Sequence, residues 1–132
     1  MRAALANDRP AFLRTFLERA CNFDALGGTP VRLVSRESLH AIWSQAIAAP
    51  VTGMRQSLAA WQTDFRDDLP RIGVPVLVIH GETDRVHPLG IAGQPLSEGI
   101  DGARLVVMPG GPHNLLWTHA AQLNAELIRF LG

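Results

Sequence analysis

One run constrains the fold more than any other stretch: Val74-Pro75-Val76-Leu77-Val78-Ile79, bounded by Gly73 and Gly81. It is almost continuously apolar and rich in β-branched side chains, with no polar alternation. A strand of that kind is covered on both faces, which is the habit of a parallel sheet. Pro75 is tolerable near the start of a strand. A second strand is predicted over Ala103-Arg104-Leu105-Val106-Val107-Met108. Parallel neighbours need a crossover, so a helix is expected over residues 88–100. Gly90, Gly93 and Pro95 all weaken it, and the sequence predicts that it is short or broken near Pro95.

The first half has a different period. Asp8 and Pro10 suit a helix start, and Leu13, Phe16, Leu17 and Ala20 then form one apolar stripe at i, i+3, i+4 and i+7. Gly27-Gly28-Thr29-Pro30 is loop chemistry. Ser35 reads as a cap for a second helix with Leu39, Ile42, Trp43, Ala46 and Ile47 on its stripe, which Pro50 stops or restarts. Val51, Met54, Leu58 and Trp61 make a third, weaker stripe. At the other end Thr118 reads as the cap of a last helix whose Leu123, Leu127, Phe130 and Leu131 should pack on the sheet. A linker, if there is one, lies near residues 67–73, where charge and Pro70 separate the helical half from the strand half. With 132 residues, 47% apolar and 18% charged, the chain can bury one real core and is not of a disordered type.

Several function classes are disfavoured. Twelve basic and twelve acidic residues cancel, and no basic tract tracks phosphate, so nucleic acid is not an expected partner. Cys21 is the sole cysteine, which rules out an internal disulfide and a cysteine metal framework; it reads as an inert core or groove filler. No run approaches the roughly 20 apolar residues of a membrane span. The start, Met1-Arg2-Ala3-Ala4-Leu5-Ala6-Asn7-Asp8, is not a signal peptide, and the cytoplasm is the default expectation.

Each predicted strand leads into a polar loop. The first loop carries Asp84 and the second His113. Loops at the carboxyl ends of neighbouring parallel strands, about 4.8 Å apart, can meet, and ligands bind at that edge. An imidazole paired with a carboxylate is held in one tautomer, leaving its other nitrogen to take a proton. Asp84 and His113 are therefore the candidate catalytic residues. Taken singly, each has a bland reading, a turn or cap for Asp84 and a loop histidine for His113. Of the other histidines, His80 reads as buried and hydrogen-bonded, His87 as lining the mouth of the crevice or facing water, and His119 as surface or loop-packing. His40 falls opposite its helix's stripe. No histidine pair has a usual ligand spacing, so no metal site is expected.

Residues 65–131 resemble the C-terminal portion of an α/β-hydrolase, nearest to the metal-free haloperoxidase, perhydrolase and aryl-esterase branch. The match is carried by Asp64-Phe65-Arg66-Asp67-Asp68-Leu69, by the strand running through His80-Gly81-Glu82-Thr83-Asp84-Arg85, and by Gly111-Pro112-His113-Asn114-Leu115-Leu116-Trp117-Thr118-His119. The helical residues before it resemble that branch's cap. The resemblance implies an α/β class chain with a partial α/β-hydrolase fold: a cap-like segment over residues 1–66, then the last two parallel strands and C-terminal helix over residues 67–132. It implies that Asp84 is the triad acid and His113 the general base. It also implies a small ester or carboxylic-acid substrate, and no cofactor. Glu82 stands where the branch has Asp, and Asn114 where it has Gly. Asn114 is expected to preserve the loop because Asn tolerates a left-handed backbone.

The family's nucleophile sits in a Gly-x-Ser-x-Gly elbow, and these 132 residues contain none. Two alternatives stay open: a serine hydrolase whose nucleophile lies elsewhere, or a catalytically inactive form acting as a binding or self-association module. In both, two strands of a larger sheet would expose an apolar edge. The chain is therefore expected to need a preceding segment or self-association, with Met1 an internal methionine or a misassigned start. Trp43, Trp61, Leu115, Leu116 and Trp117 are candidates for a greasy pocket wall.

Overall fold

The computed structural model describes residues 7–23 and 33–132. Residues 1–6, the loop of Gly27, Gly28, Thr29 and Pro30, and the side chain of Leu58 lie outside the described residues.

Two helices open the described chain, α1 (Arg9–Ala20) and α2 (Arg36–Ala48). Their starts are chemical. The Asp8 side chain accepts from the Ala11 N–H, and the Ser35 hydroxyl accepts from the Ser38 N–H, each at 3.0 Å. The predicted stripes turn towards each other. Leu17, Cys21, Val34 and Leu39 are buried together, with Phe16, Ile42, Trp43 and Ala46 packed against them. Polar struts fix the crossing. The Arg9 guanidinium donates to the Ala46 and Ile47 carbonyls at 3.2 and 2.9 Å, and to that of Ala49, gathering the orphan carbonyls at the end of α2. The Trp43 indole donates to the Pro10 carbonyl at 2.9 Å. Helix α3 (Val51–Ala60) follows Pro50 and buries none of its described side chains. A 3₁₀ segment, Arg66–Arg71, then occupies most of the expected linker. It follows an Asp64–Arg66 ion pair that lowers the Asp64 carboxyl to about 2.

Strands β1 (Leu77–Gly81) and β2 (Arg104–Met108) pair in parallel, from Leu77 opposite Arg104 to Gly81 opposite Met108. The first strand starts and ends later than its apolar run. Pro75 has no N–H for the ladder, and pairing begins where the Val76 carbonyl accepts from Arg104 at 2.9 Å. At the far end the chain must pass under the second loop. A Cβ on Gly81 would lie 2.3 Å from the carbonyl oxygens of Gly111 and Pro112.

The crossover helix is short and broken near Pro95, as the sequence predicts. A 3₁₀ turn, Leu89–Ile91, meets α4 (Gly93–Gly99) at Ala92, whose φ of −130° and ψ of −83° interrupt the helix. Pro95 sits in the first turn of α4, where its missing N–H has no partner to lose. The C-terminal segment departs from expectation. A short α5 (Leu115–Thr118) precedes α6 (Ala120–Leu131), and His119, not Thr118, stands at the start of α6. The Thr118 hydroxyl donates back to the Asn114 carbonyl instead. On α6 only Leu123 is buried; Leu127, Phe130 and Leu131 are exposed, so the predicted packing of that stripe on the sheet is not found. The periodicity was a property of the helix alone, and two strands are too narrow to cover it. Arg104 of β2 does reach Glu126 of α6 at 3.0 Å. Among the described residues no helix is long and apolar enough to cross a membrane.

Candidate active site

Asp84 lies three residues past β1, in a turn closed by its own N–H to the Gly81 carbonyl at 3.2 Å. Its side chain is 4% exposed. Oδ1 accepts from the Val86 and His87 N–H groups, both at 2.8 Å, and Oδ2 meets His113 Nδ1 at 2.8 Å. Burial alone would push this carboxyl up. The hydrogen bonds from His87, His113 and Val86 outweigh it and hold Asp84 below the usual carboxylate range. An ionised carboxylate only accepts, so the proton on that bond belongs to His113 Nδ1, and in the neutral ring the lone pair is on Nε2.

His80 lies under the same carboxylate, its Nε2 3.5 Å from Oδ2 and 2.8 Å from the His87 carbonyl. A carbonyl accepts only, so His80 Nε2 carries a proton and donates it there. His87 thus gives its N–H to Asp84 and takes a bond from His80, which pins the turn from both ends. Its ring lies 5.2 Å from that of His113.

The loop that presents His113 is set against the Asp84 loop by backbone and side chain. The Glu82 and Thr83 N–H groups donate to the Met108 and Gly111 carbonyls at 3.0 and 2.9 Å. The Glu82 carboxylate accepts from the Gly110 N–H at 2.8 Å, so the longer side chain reaches across to the neighbouring loop. Gly110 takes a φ of 66°, the left-handed turn that glycine permits. Pro112 is fully buried beneath. Asn114 does not use a left-handed conformation: its φ is −92° and its ψ 66°. The left-handed asparagine is Asn22, at 48°. Asn114 instead donates its N–H to the Ala20 carbonyl at 2.9 Å and its amide to Cys21 Sγ at 3.5 Å. Burial raises the Cys21 thiol above its usual range, in keeping with an inert filler.

The Asp84–His113 pair opens into a cleft of about 620 Å³. Its walls include Thr63 and Phe65 after α3, Leu96 of α4, His80, His87 and Leu115. Of the pocket candidates, Leu115 is brought to this cleft. Trp43 lines a separate depression with Arg14 and His40. Leu116, Trp117 and Trp61 are 70%, 46% and 62% exposed and do not line the cleft. The His40 ring lies 5.5 Å from that of Trp43, tilted by 42°, and His119 Nδ1 bonds the Thr118 hydroxyl. Thr63, Phe65 and Leu96 were not foreseen as cleft residues. Phe65 lines the cleft while remaining 56% exposed, and its place between Asp64 and Arg66 gave no periodic signal to find it by. Among the described residues no three His, Cys, Asp or Glu side chains are grouped so as to hold a metal ion.

Fold and site together define a parallel α/β protein with a carboxylate–imidazole pair at the carboxyl edge of its strands. The chain belongs to the α/β-hydrolase fold family, whose model matches residues 2–120. It is 43% identical over 128 residues to a protein of Synechocystis sp. that carries the provisional name non-heme chloroperoxidase, covering 97% of this chain and 45% of that one. It is 36% identical over 90 residues to a bifunctional esterase/perhydrolase of Acinetobacter calcoaceticus, covering 67% and 33%. The crystal structure of a bromoperoxidase from Bacillus anthracis superposes with a TM-score of 0.88 at 35% identity, covering 98% and 46%. The chain spans less than half the length of these relatives.

Proposed function

We propose that this chain supplies the acid and the base of an acyl-transfer site of the α/β-hydrolase type, acting on small esters or carboxylic acids. Asp84 orients His113 and stabilises the imidazolium that forms. His113 Nε2 takes the proton of a serine hydroxyl as that oxygen attacks the acyl carbon, and later returns it to the leaving group. The serine is supplied from outside these 132 residues, because none of their own serines sits in a nucleophile elbow. A segment bringing that elbow would also cover the open edge of the β1–β2 pair.

The observation that carries this reading is the 2.8 Å His113 Nδ1–Asp84 Oδ2 bond, made by a histidine that lines the cleft. Esterase/perhydrolase and haloperoxidase relatives support an acyl-enzyme that water or hydrogen peroxide resolves, to a carboxylic acid or a peracid respectively. In a protein carrying both the elbow and this chain, His113→Ala is expected to lower ester turnover at least 10³-fold while the unfolding midpoint stays within about 1 kcal/mol of the parent. Retained turnover would remove His113 from its role. Labelling of these 132 residues alone by a fluorophosphonate would overturn the external nucleophile.

A further inference from the structure

The end of α1 touches both loops that carry the pair, and it does so through polar atoms. The Asn22 amide nitrogen donates to the Thr83 carbonyl at 3.1 Å and to the Thr83 hydroxyl at 2.9 Å. That hydroxyl then shares its one proton between the Gly110 and Gly111 carbonyls, both at 3.1 Å. The direction of each bond is fixed: the amide can only give, the carbonyls can only receive, and the hydroxyl does one of each. A step away, the Arg19 guanidinium donates to the Arg85 carbonyl at 3.0 Å, and the Ala20 carbonyl receives the Asn114 N–H. Thr83 and Arg85 flank Asp84, while Gly111 and Asn114 lie close on either side of His113.

Asn22 stands just past the end of α1 with a φ of 48°, a left-handed turn that asparagine tolerates better than most residues. The Asn22 and Phe23 N–H groups donate to the Arg19 and Glu18 carbonyls at 3.2 and 2.8 Å and close the helix end. The Asn22 Oδ1 is buried without a partner among the described residues. The amide's two donations to Thr83 are therefore the contacts that place this side chain.

We propose that Asn22 and Thr83 are positioning residues for the Asp84–His113 pair. Together they bolt the Asp84 loop to the His113 loop, and both to the C-terminal turn of α1. The helical segment and the pair then move as one unit, and lifting α1 away loosens the Asp84–His113 bond. The inference rests on the role proposed above for that pair, but its test reads no turnover and so fails separately.

The variants are chosen to keep the fold. Asn22→Gly removes the amide and relieves the left-handed backbone. Thr83→Val removes the hydroxyl at constant shape, and Thr83→Ser keeps it. Two measurements are made on the full 132-residue chain. One is amide hydrogen exchange by mass spectrometry over residues 83–88, 110–115 and, for reference, the β2 strand. The other is the low-field Nδ1–H proton resonance of His113. Asn22→Gly and Thr83→Val are expected to speed exchange in both loops tenfold or more, leave β2 unchanged, and broaden or lose the His113 resonance. Thr83→Ser, which keeps the hydroxyl, should retain the parent's exchange in both loops and its His113 resonance. Unchanged loops in both variants would overturn the proposal. So would exchange that rises equally in β2, or a His113 resonance indifferent to the loss of the bolt, since either would make these residues structural only.

Discussion

Both oxygens of Asp84 are committed, Oδ1 to two backbone N–H groups and Oδ2 to His113. That arrangement has a pH consequence with a definite sign. The folded carboxyl lies below its ordinary value, while the unfolded chain keeps that value near 3.9. On acidification the unfolded state takes up the proton first. The stability that Asp84 contributes is therefore fully present above the unfolded value and is lost as pH falls through the lower folded one. Denaturant unfolding from pH 7 to pH 3 should show this loss in the parent chain. In Asp84→Asn the corresponding part of the slope should vanish, because the amide does not titrate. An identical slope in the variant would place the acid sensitivity elsewhere. The pair itself was legible in the sequence because each residue follows an apolar run at the distance of one tight turn. What surrounds it was not. Asn22 and Thr83 are separated by 61 positions, and no local pattern signals a bond between two helix and loop residues so far apart. His80 was readable as a buried, bonded histidine, but its partner, a backbone carbonyl seven residues on, has no side-chain signature.

At the scale of elements, the join between β1 and the His113 loop leaves less room for a Cβ than the site of any other glycine among the described residues. Gly81 is the last residue of β1, and any side chain there would enter two backbone carbonyls at 2.3 Å. Backbone cannot swing aside as a flexible side chain can. Gly81→Ala should cost about 3 kcal/mol or more, at or beyond the upper end of ordinary overpacking, and should displace His113 from Asp84. Gly73→Ala and Gly90→Ala provide the comparison, since a Cβ at either meets nothing within 4 Å. Thermal and denaturant midpoints of the three variants check this, and equal midpoints would mean that the loops shift freely. The strands were readable from β-branched apolar runs, yet β1 begins three residues after Val74 because Pro75 cannot join the ladder. The crossover helix is short and broken near Pro95 as read, with the break itself at Ala92; proline disrupts a helix interior but not its first turn, and the sequence does not say where the first turn begins. Thr118 has the chemistry of a cap, but its hydroxyl is taken by a carbonyl of the preceding turn.

For the whole molecule the unresolved quantity is apolar surface. The β1–β2 pair has a free edge on each side among the described residues. Ile128 and Leu131 on α6 are 69% and 80% exposed, and Val74 and Ile91 beside the sheet 65% and 78%. Covering a large apolar side chain contributes about 1.5–3 kcal/mol, so four such residues together weigh as much as the net stability of a small domain. The helical half carries its own buried cluster of Leu17, Cys21, Val34 and Leu39, whereas the strand half has a two-stranded sheet among the described residues and leaves most of the apolar stripe of α6 exposed. We expect the isolated chain to associate. Sedimentation velocity across a hundredfold range of concentration should show mass rising with concentration, and a Lys substitution at Ile128 or Leu131 should reduce it without lowering stability, because neither side chain is buried within the chain. A concentration-independent monomer that unfolds in one sharp transition would mean that the helical half alone stabilises the strands.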